Sequence, residues 1–243
     1  MWQPILFSVM AGLITIIGVL MVRAWRQVAL RYSHYINSFA AGIILTAAVT
    51  VLLPRAADSV GERAGLYALA GFLAFLLLET FLIFHSGSEV HYEARTQREA
   101  RGLVFFWGLS LHSLLDGVVI AVGFATSPRL GMVTTLAVVS HELPEGITTF
   151  SLLADRLAEK TALGMALAVA VATPLGGLIG AVSLPALTAE PMGAALALVA
   201  GSFLYIAATD IVPEIREEHP AGNIACMVLG VLFIAVVHLF VHH

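Results

Sequence analysis

The stretch "GLVFFWGLSLHSLLDGVVIAVGFA", residues 102–125, decides the fold. As a helix rising about 1.5 Å per residue it outspans a hydrocarbon core of roughly 30 Å. It holds no lysine or arginine, yet it carries His112 and Asp116 near its middle. The next apolar run carries "HELPEG", residues 141–146, so each run places a histidine four residues ahead of an acid: His112 with Asp116, His141 with Glu145. Working outward, apolar stretches of similar length recur along the whole chain. They predict spans at 4–22, 36–54, 65–84, 102–125, 132–153, 162–184, 192–212 and 222–241.

Composition agrees. Of 243 residues, 59% are hydrophobic and 12% are charged, with a mean hydropathy of +0.94. A soluble domain carries about 25% charged residues. The expected fold is therefore an all-α, polytopic membrane protein, read as one transmembrane domain over 1–243. A transmembrane β-barrel would need alternating segments of about 10 residues, and the sequence has none. The net charge of −4 argues against nucleic-acid binding, and the single Cys226 cannot form an intrachain disulfide. The first apolar run lacks a basic leader and is long enough to span, so it reads as the first helix rather than a cleaved signal.

Arg23, Arg26, Arg31, Arg95, Arg98, Arg101, Arg156, Lys160 and Arg216 fall in connections 1–2, 3–4, 5–6 and 7–8. Arg55, Arg63 and Arg129 fall in the others. The positive-inside rule then puts both termini outside and the 85–101 connection in the cytoplasm. An internal echo accompanies this alternation. "AGIILTAAVTVLLPRA" (41–56) resembles "AGSFLYIAATDIVPEI" (200–215), with Gly42 and Pro54 matching Gly201 and Pro213. The two segments run in opposite directions across the membrane. Spans 1–3 and 6–8 would be inverted repeats flanking spans 4 and 5, an arrangement common among transporters. Ala-Gly pairs and terminal prolines are frequent in membrane helices, so the echo alone does not require a repeat.

Residues four apart share a helix face, so each His/acid pair points one way. Both pairs fall near mid-membrane on antiparallel neighbours joined by a short loop. Together they would form a cage of two imidazoles and two carboxylates, a donor set suited to a divalent transition metal. Intramembrane acids are costly and usually functional. Asp116, Glu142 and Glu145 share this depth without lysine or arginine, and a bound cation is the simplest neutraliser. Glu142 joins the expected metal-binding residues. Pro144 frees a backbone carbonyl one turn back, and Gly117 and Gly146 permit close helix approach. A single His/acid pair is equally compatible with a structural hydrogen bond; two pairs at matched depth favour a site.

At these residues the sequence resembles the ZIP (Zrt/Irt-like) metal transporters. "LHSLLDGVVIAVGF" and "SHELPEGITTFSLL" are similar to that family's fourth and fifth helices, with their HNxxDG or HNxPEG and HExPEG or HExPHE motifs. The resemblance implies eight helices in a 3+2+3 inverted-repeat arrangement, outside termini and a principal transport site of His112, Asp116, His141 and Glu145. It also implies a neighbouring second metal site in many members. The positions matching that site are Ser113, where the family has Asn, Glu142, and Thr173, where it has an acid. One well-formed site is therefore expected here. The helix 2 histidine frequent in the family is Val51.

The implied function is uptake of a divalent metal into the cytoplasm, zinc first, with iron, manganese or cadmium as other cargoes. The expected partners are the metal ion, the lipid bilayer and a second copy of the chain in a homodimer. The expected location is a prokaryotic inner membrane. Helices 4 and 5 would move against the flanking repeats. His85, Glu89, His91 and Glu93 could handle metal in the 85–101 loop. Glu79 and Asp210 could line an exit, and Asp58 and Glu62 could bias the outer mouth towards cations. His238, His242 and His243 read as solvated terminal residues. Two rivals stand beside transport of metal: an intramembrane zinc hydrolase, and a proton-linked carrier of an organic solute. The zincin pattern H-E-x-x-H is absent, since the chain reads H-E-L-P-E.

Overall fold

A computed structural model describes residues 2–84, 95–184, 188–211 and 220–242. The described residues are helical almost throughout. The helices are α1 Gln3–Ala47, α2 Leu53–Val60, α3 Arg63–Phe84, α4 Arg95–Thr126, α5 Pro128–Ala154, α6 Glu159–Ser183, α7 Ala189–Tyr205 and α8 Pro220–His242. Among the described residues, Gln3–Val60, Phe105–Thr126, Glu159–Ser183 and Ala189–Ala208 are long and apolar enough to cross a membrane. With the chain's composition, these make it an all-α, multi-pass membrane protein. The 27-residue α5 is long enough too, but His141, Glu142 and Glu145 interrupt its apolar character.

Two features depart from the expected spans. The connection expected at 23–35 is itself helical, because that stretch contains no glycine or proline to stop a helix. The only break is Trp25, at φ −140°, ψ 56°, which divides α1 into an N-terminal arm and a C-terminal arm. Between α4 and α5 only Ser127 is non-helical, and its hydroxyl caps the backbone N–H of Leu130 at 3.2 Å. The central helices thus form a tight antiparallel hairpin.

The echo segments each carry a π-helical turn. A π-helical turn, Ala48–Leu52, precedes Pro54, and a second, Ile206–Ile211, lies at the matching place after Gly201. Pro54 has no N–H to offer the preceding turn, which favours such local rewinding.

The helices meet backbone to backbone at glycines. A Cβ on Gly18 would strike the Leu143 carbonyl and crowd the Ile147 nitrogen; one on Gly176 would do the same to Leu114 and Val118. Gly146 presses on Thr15 and Val19, and Gly117 on Thr173 and Gly177. In the other half of the bundle, Gly42 lies on Met227 and Val231 as Gly201 lies on Ala68 and Phe72. Gly230 lies on Phe39 as Gly71 lies on Leu198. One numbering step carries 42 to 201, 68 to 227 and 72 to 231. These contacts pair α1 with α5, α4 with α6, the C-terminal arm of α1 with α8, and α3 with α7.

Ion pairs mark the two ends. Arg26–Asp155 (2.8 Å) and Arg23–Glu159 (3.3 Å) join the Trp25 break to the α5–α6 connection. Arg55–Asp58 (3.1 Å) and Arg63–Glu190 (3.2 Å) lie at the opposite end. All are exposed, where such pairs contribute about 0–1 kcal/mol.

Candidate metal centre

The α4–α5 hairpin sets the register that builds the centre. His112 and Asp116 share one face of α4, and His141 and Glu145 share one face of α5. The structure brings these four together: one ligand atom from each lies within 4.8 Å of all the others. His112 Nε2 and His141 Nε2 each lie 3.3 Å from Asp116 Oδ2, and His112 Nε2 lies 3.8 Å from Glu145 Oε2. Ligand atoms around a four-coordinate zinc are about 3.3–3.6 Å apart. Two of the separations already match, and the rest need closure of roughly 1.5 Å or less.

Hydrogen bonding fixes the chemical sense of the cluster. His141 Nδ1 lies 3.0 Å from the Ala137 carbonyl, one turn back. A carbonyl only accepts, so Nδ1 carries the hydrogen and donates it. In a neutral ring Nε2 then presents a lone pair, and it faces the Asp116 carboxylate. Two electron-rich groups turned on each other call for a positive charge between them. A metal-bound histidine has the same tethering of its second nitrogen to a carbonyl. Glu145 Oε1 accepts from the Ser113 hydroxyl at 2.5 Å, which leaves Oε2 without a hydrogen-bond partner beside His112.

Burial is uneven. The side chains of Asp116, His141 and Glu145 are 4–6% exposed, whereas His112 is 21% exposed. The edge of Phe75, from α3, meets the His112 ring at 6.1 Å between centroids. No arginine ion pair among the described residues reaches the cluster; those found sit at the helix ends.

Glu142 is in a different setting. It is fully buried and stands outside the four-residue group. Thr15 of α1 donates to Oε2, and Thr173 of α6 donates to Oε1 at 3.3 Å. Two of the positions where the sequence departs from the resemblance, Ser113 and Thr173, are thus both hydroxyl donors to buried carboxylates. Sequence reasoning missed Thr15. Its one signal was position: it is the only polar residue between Ser8 and Arg23. His85, Glu89, His91, Glu93 and His243 lie outside the described residues, as do the side chains of Glu79, Asp210, His238 and His242. Asp58 pairs with Arg55 at the surface.

Comparison with known proteins bears on this centre. The ZIP zinc transporter family matches residues 85–238, more than half of the chain, including both histidine motifs. "Zinc transporter zipt-7.1" of Caenorhabditis briggsae is 27% identical over 199 residues, covering 67% of this chain and 50% of that protein. "Zinc transporter ZIP13" of Pongo abelii is 28% identical over 190 residues, covering 74% and 55%. "Zinc transporter ZIP4" of Homo sapiens is 35% identical over 117 residues, covering 46% and 18%. The chain spans about half the length of the zipt-7.1 and ZIP13 relatives. The family match covers most of the helical bundle and both halves of the cage, and on that ground the chain belongs to the ZIP zinc transporter family.

Proposed function

We propose that the protein carries a divalent transition metal, zinc foremost, across a membrane into the cytoplasm. His112, Asp116, His141 and Glu145 form the mid-membrane site that takes the ion from its water. One observation carries this reading: four ligand atoms converge from two antiparallel helices, with His141 tethered so that Nε2 faces the other three. Nitrogen and carboxylate donors together suit zinc, with iron, manganese or cadmium as further cargoes. Glu142 supports the site from one side through Thr15 and Thr173, and one metal per chain is expected.

The arrangement we propose is one domain over 1–243 with eight crossings, spans 1–3 and 6–8 being inverted repeats around α4 and α5. The glycine contacts support it, since Gly18 and Gly176 make equivalent approaches to α5 and α4, as Gly42 and Gly201 do to α8 and α3. The matched π-helical turns support it too. The bias of basic residues supports both termini outside the cytoplasm, and the membrane proposed is a prokaryotic inner membrane. The hydrolase and solute-carrier rivals are not favoured, because the relatives are named as zinc transporters.

The test is zinc uptake into proteoliposomes read by an enclosed zinc-sensitive dye. Wild type takes zinc up, and His112→Ala with Glu145→Ala does not. Equal uptake by the double variant would sink the site assignment.

A further inference from the structure

The four-ligand cage leaves buried polar atoms beside it unaccounted for. Thr149 Oγ1 and Ser110 Oγ are each buried without a hydrogen-bond partner, as is Glu145 Oε2, which the cage itself uses. Thr149 is completely buried. Elsewhere in the bundle, hydroxyls fold back onto their own helix: Ser38, Thr46, Thr135 and Ser151 each donate to the carbonyl one turn back at 2.7 Å. That local bond is the usual way a hydroxyl is satisfied in a membrane helix. Ser110 and Thr149 forgo it.

Register puts Ser110 and Thr149 on the turns next to Glu145. The Ser113–Glu145 hydrogen bond marks where α4 faces α5. Ser110 lies one turn before Ser113, and Thr149 lies one turn after Glu145. The helices are antiparallel, so both steps lead the same way, towards the end where Gly102 packs against the Leu157 side chain. That is also the end carrying Arg26–Asp155. Glu145 stands at the junction, with Oε1 held by Ser113 and Oε2 unpartnered.

The geometry points to a second, transient position for a divalent cation, formed by Glu145, Ser110 and Thr149 one helical turn from the cage. Its donors are all oxygen and carry a single charge, against two carboxylates and two imidazoles in the cage. Such a set holds a partly hydrated ion weakly, because each neutral hydroxyl offers only a lone pair. Weak holding suits a step that must also release. Glu145 belongs to both positions, so the ion passes from one to the other without losing that ligand. This rests on the reading of the cage as the transport site.

The test uses the full chain in proteoliposomes, with zinc uptake and bound zinc per chain both measured. Ser110→Ala with Thr149→Val removes the hydroxyls and keeps close to the original volume. It is expected to bind one zinc at wild-type affinity while uptake falls about tenfold. Ser110→Asp adds a charged oxygen to the weak position and is expected to retain a second zinc and to slow uptake. Wild-type uptake by the double variant overturns the proposal. So does a parallel loss of cage affinity, which would make the hydroxyls merely structural, or a single zinc in folded Ser110→Asp. If wild type itself moves no zinc, the transport reading fails instead, and the zinc count of Ser110→Asp still decides the second position.

Discussion

Glu142 and Glu145 are one residue type, three positions apart on one helix, both buried, and their hydrogen-bond surroundings differ, in keeping with the different roles proposed for them. Glu142 has each carboxylate oxygen taken by a threonine hydroxyl, one from α1 and one from α6. Glu145 has one oxygen held by Ser113, while the other faces His112 without a hydrogen bond. Glu142 ties three helices together; Glu145 keeps a lone pair available for an ion. What distinguishes a ligand from a brace is therefore the supply of donors around it.

The largest expected effect would break this contrast at its strong side. His112→Ala with Glu145→Ala removes two of four donors, and zinc binding measured by calorimetry should fall by more than roughly 100-fold, since even an outer-shell partner is worth about 10–100-fold. Equal binding would mean that the ion sits elsewhere.

A direct comparison comes next. Glu145→Gln should weaken zinc binding by roughly 10–100-fold, while Glu142→Gln should keep one zinc per chain with affinity within about threefold. Elemental analysis with competition titration would read both. If Glu142→Gln loses the zinc, Glu142 is a ligand and the contrast collapses.

Acidification should affect the cage through its imidazoles. Ligands must be deprotonated to hold a metal, so binding is present at neutral pH and weakens as pH falls. A drop from about pH 7.5 to about pH 5.5 should weaken zinc binding on the order of tenfold. Affinity independent of pH would argue that the histidines do not ligate.

The smallest effect sharpens the brace. Thr173→Val leaves Glu142 Oε1 without its donor, which should cost about 1–3 kcal/mol of stability, read by thermal unfolding in detergent, with the zinc count unchanged. A change in zinc count without a change in stability would reverse the roles given to the two acids.

Much of the centre was legible in the sequence because helical periodicity is a local rule. His112 with Asp116, and His141 with Glu145, share faces whatever else the chain does. The membrane class was equally plain from composition. The surroundings of Glu142 were not legible, since Thr15 lies far away in sequence and reaches the acid only through the packing of α1 on α5. Nor was the continuity of α1, because a loop was expected where the sequence carries arginines but no helix breaker. The glycines at 18, 146, 117 and 176 are visible in the sequence, but which backbone each meets is a property of the packed bundle.

Those glycine contacts also have a mechanical meaning. Gly18 and Gly146 lock the N-terminal arm of α1 to α5, Gly117 and Gly176 lock α4 to α6, and Gly12 seats α1 on the Ala170 carbonyl of α6, making one unit. Gly42 and Gly230 lock the C-terminal arm to α8, Gly71 and Gly201 lock α3 to α7, and Gly193 seats α7 on α2, the arm's continuation, making another. Backbone seated on backbone has no side-chain play, so a displacement of α4 and α5 would have to carry α1's first arm and α6 with it, rather than slide along them. The face carrying His112, Asp116, His141 and Glu145 belongs to the first unit, while Phe75, which meets its exposed edge at His112, and Tyr205, which packs on Phe75, belong to the second. Aromatic rings can turn and re-seat where interlocked backbones cannot. The seam able to give way therefore runs past His112, the most exposed of the four ligands, and Trp25 is the one described point where the chain crosses from the first unit to the second.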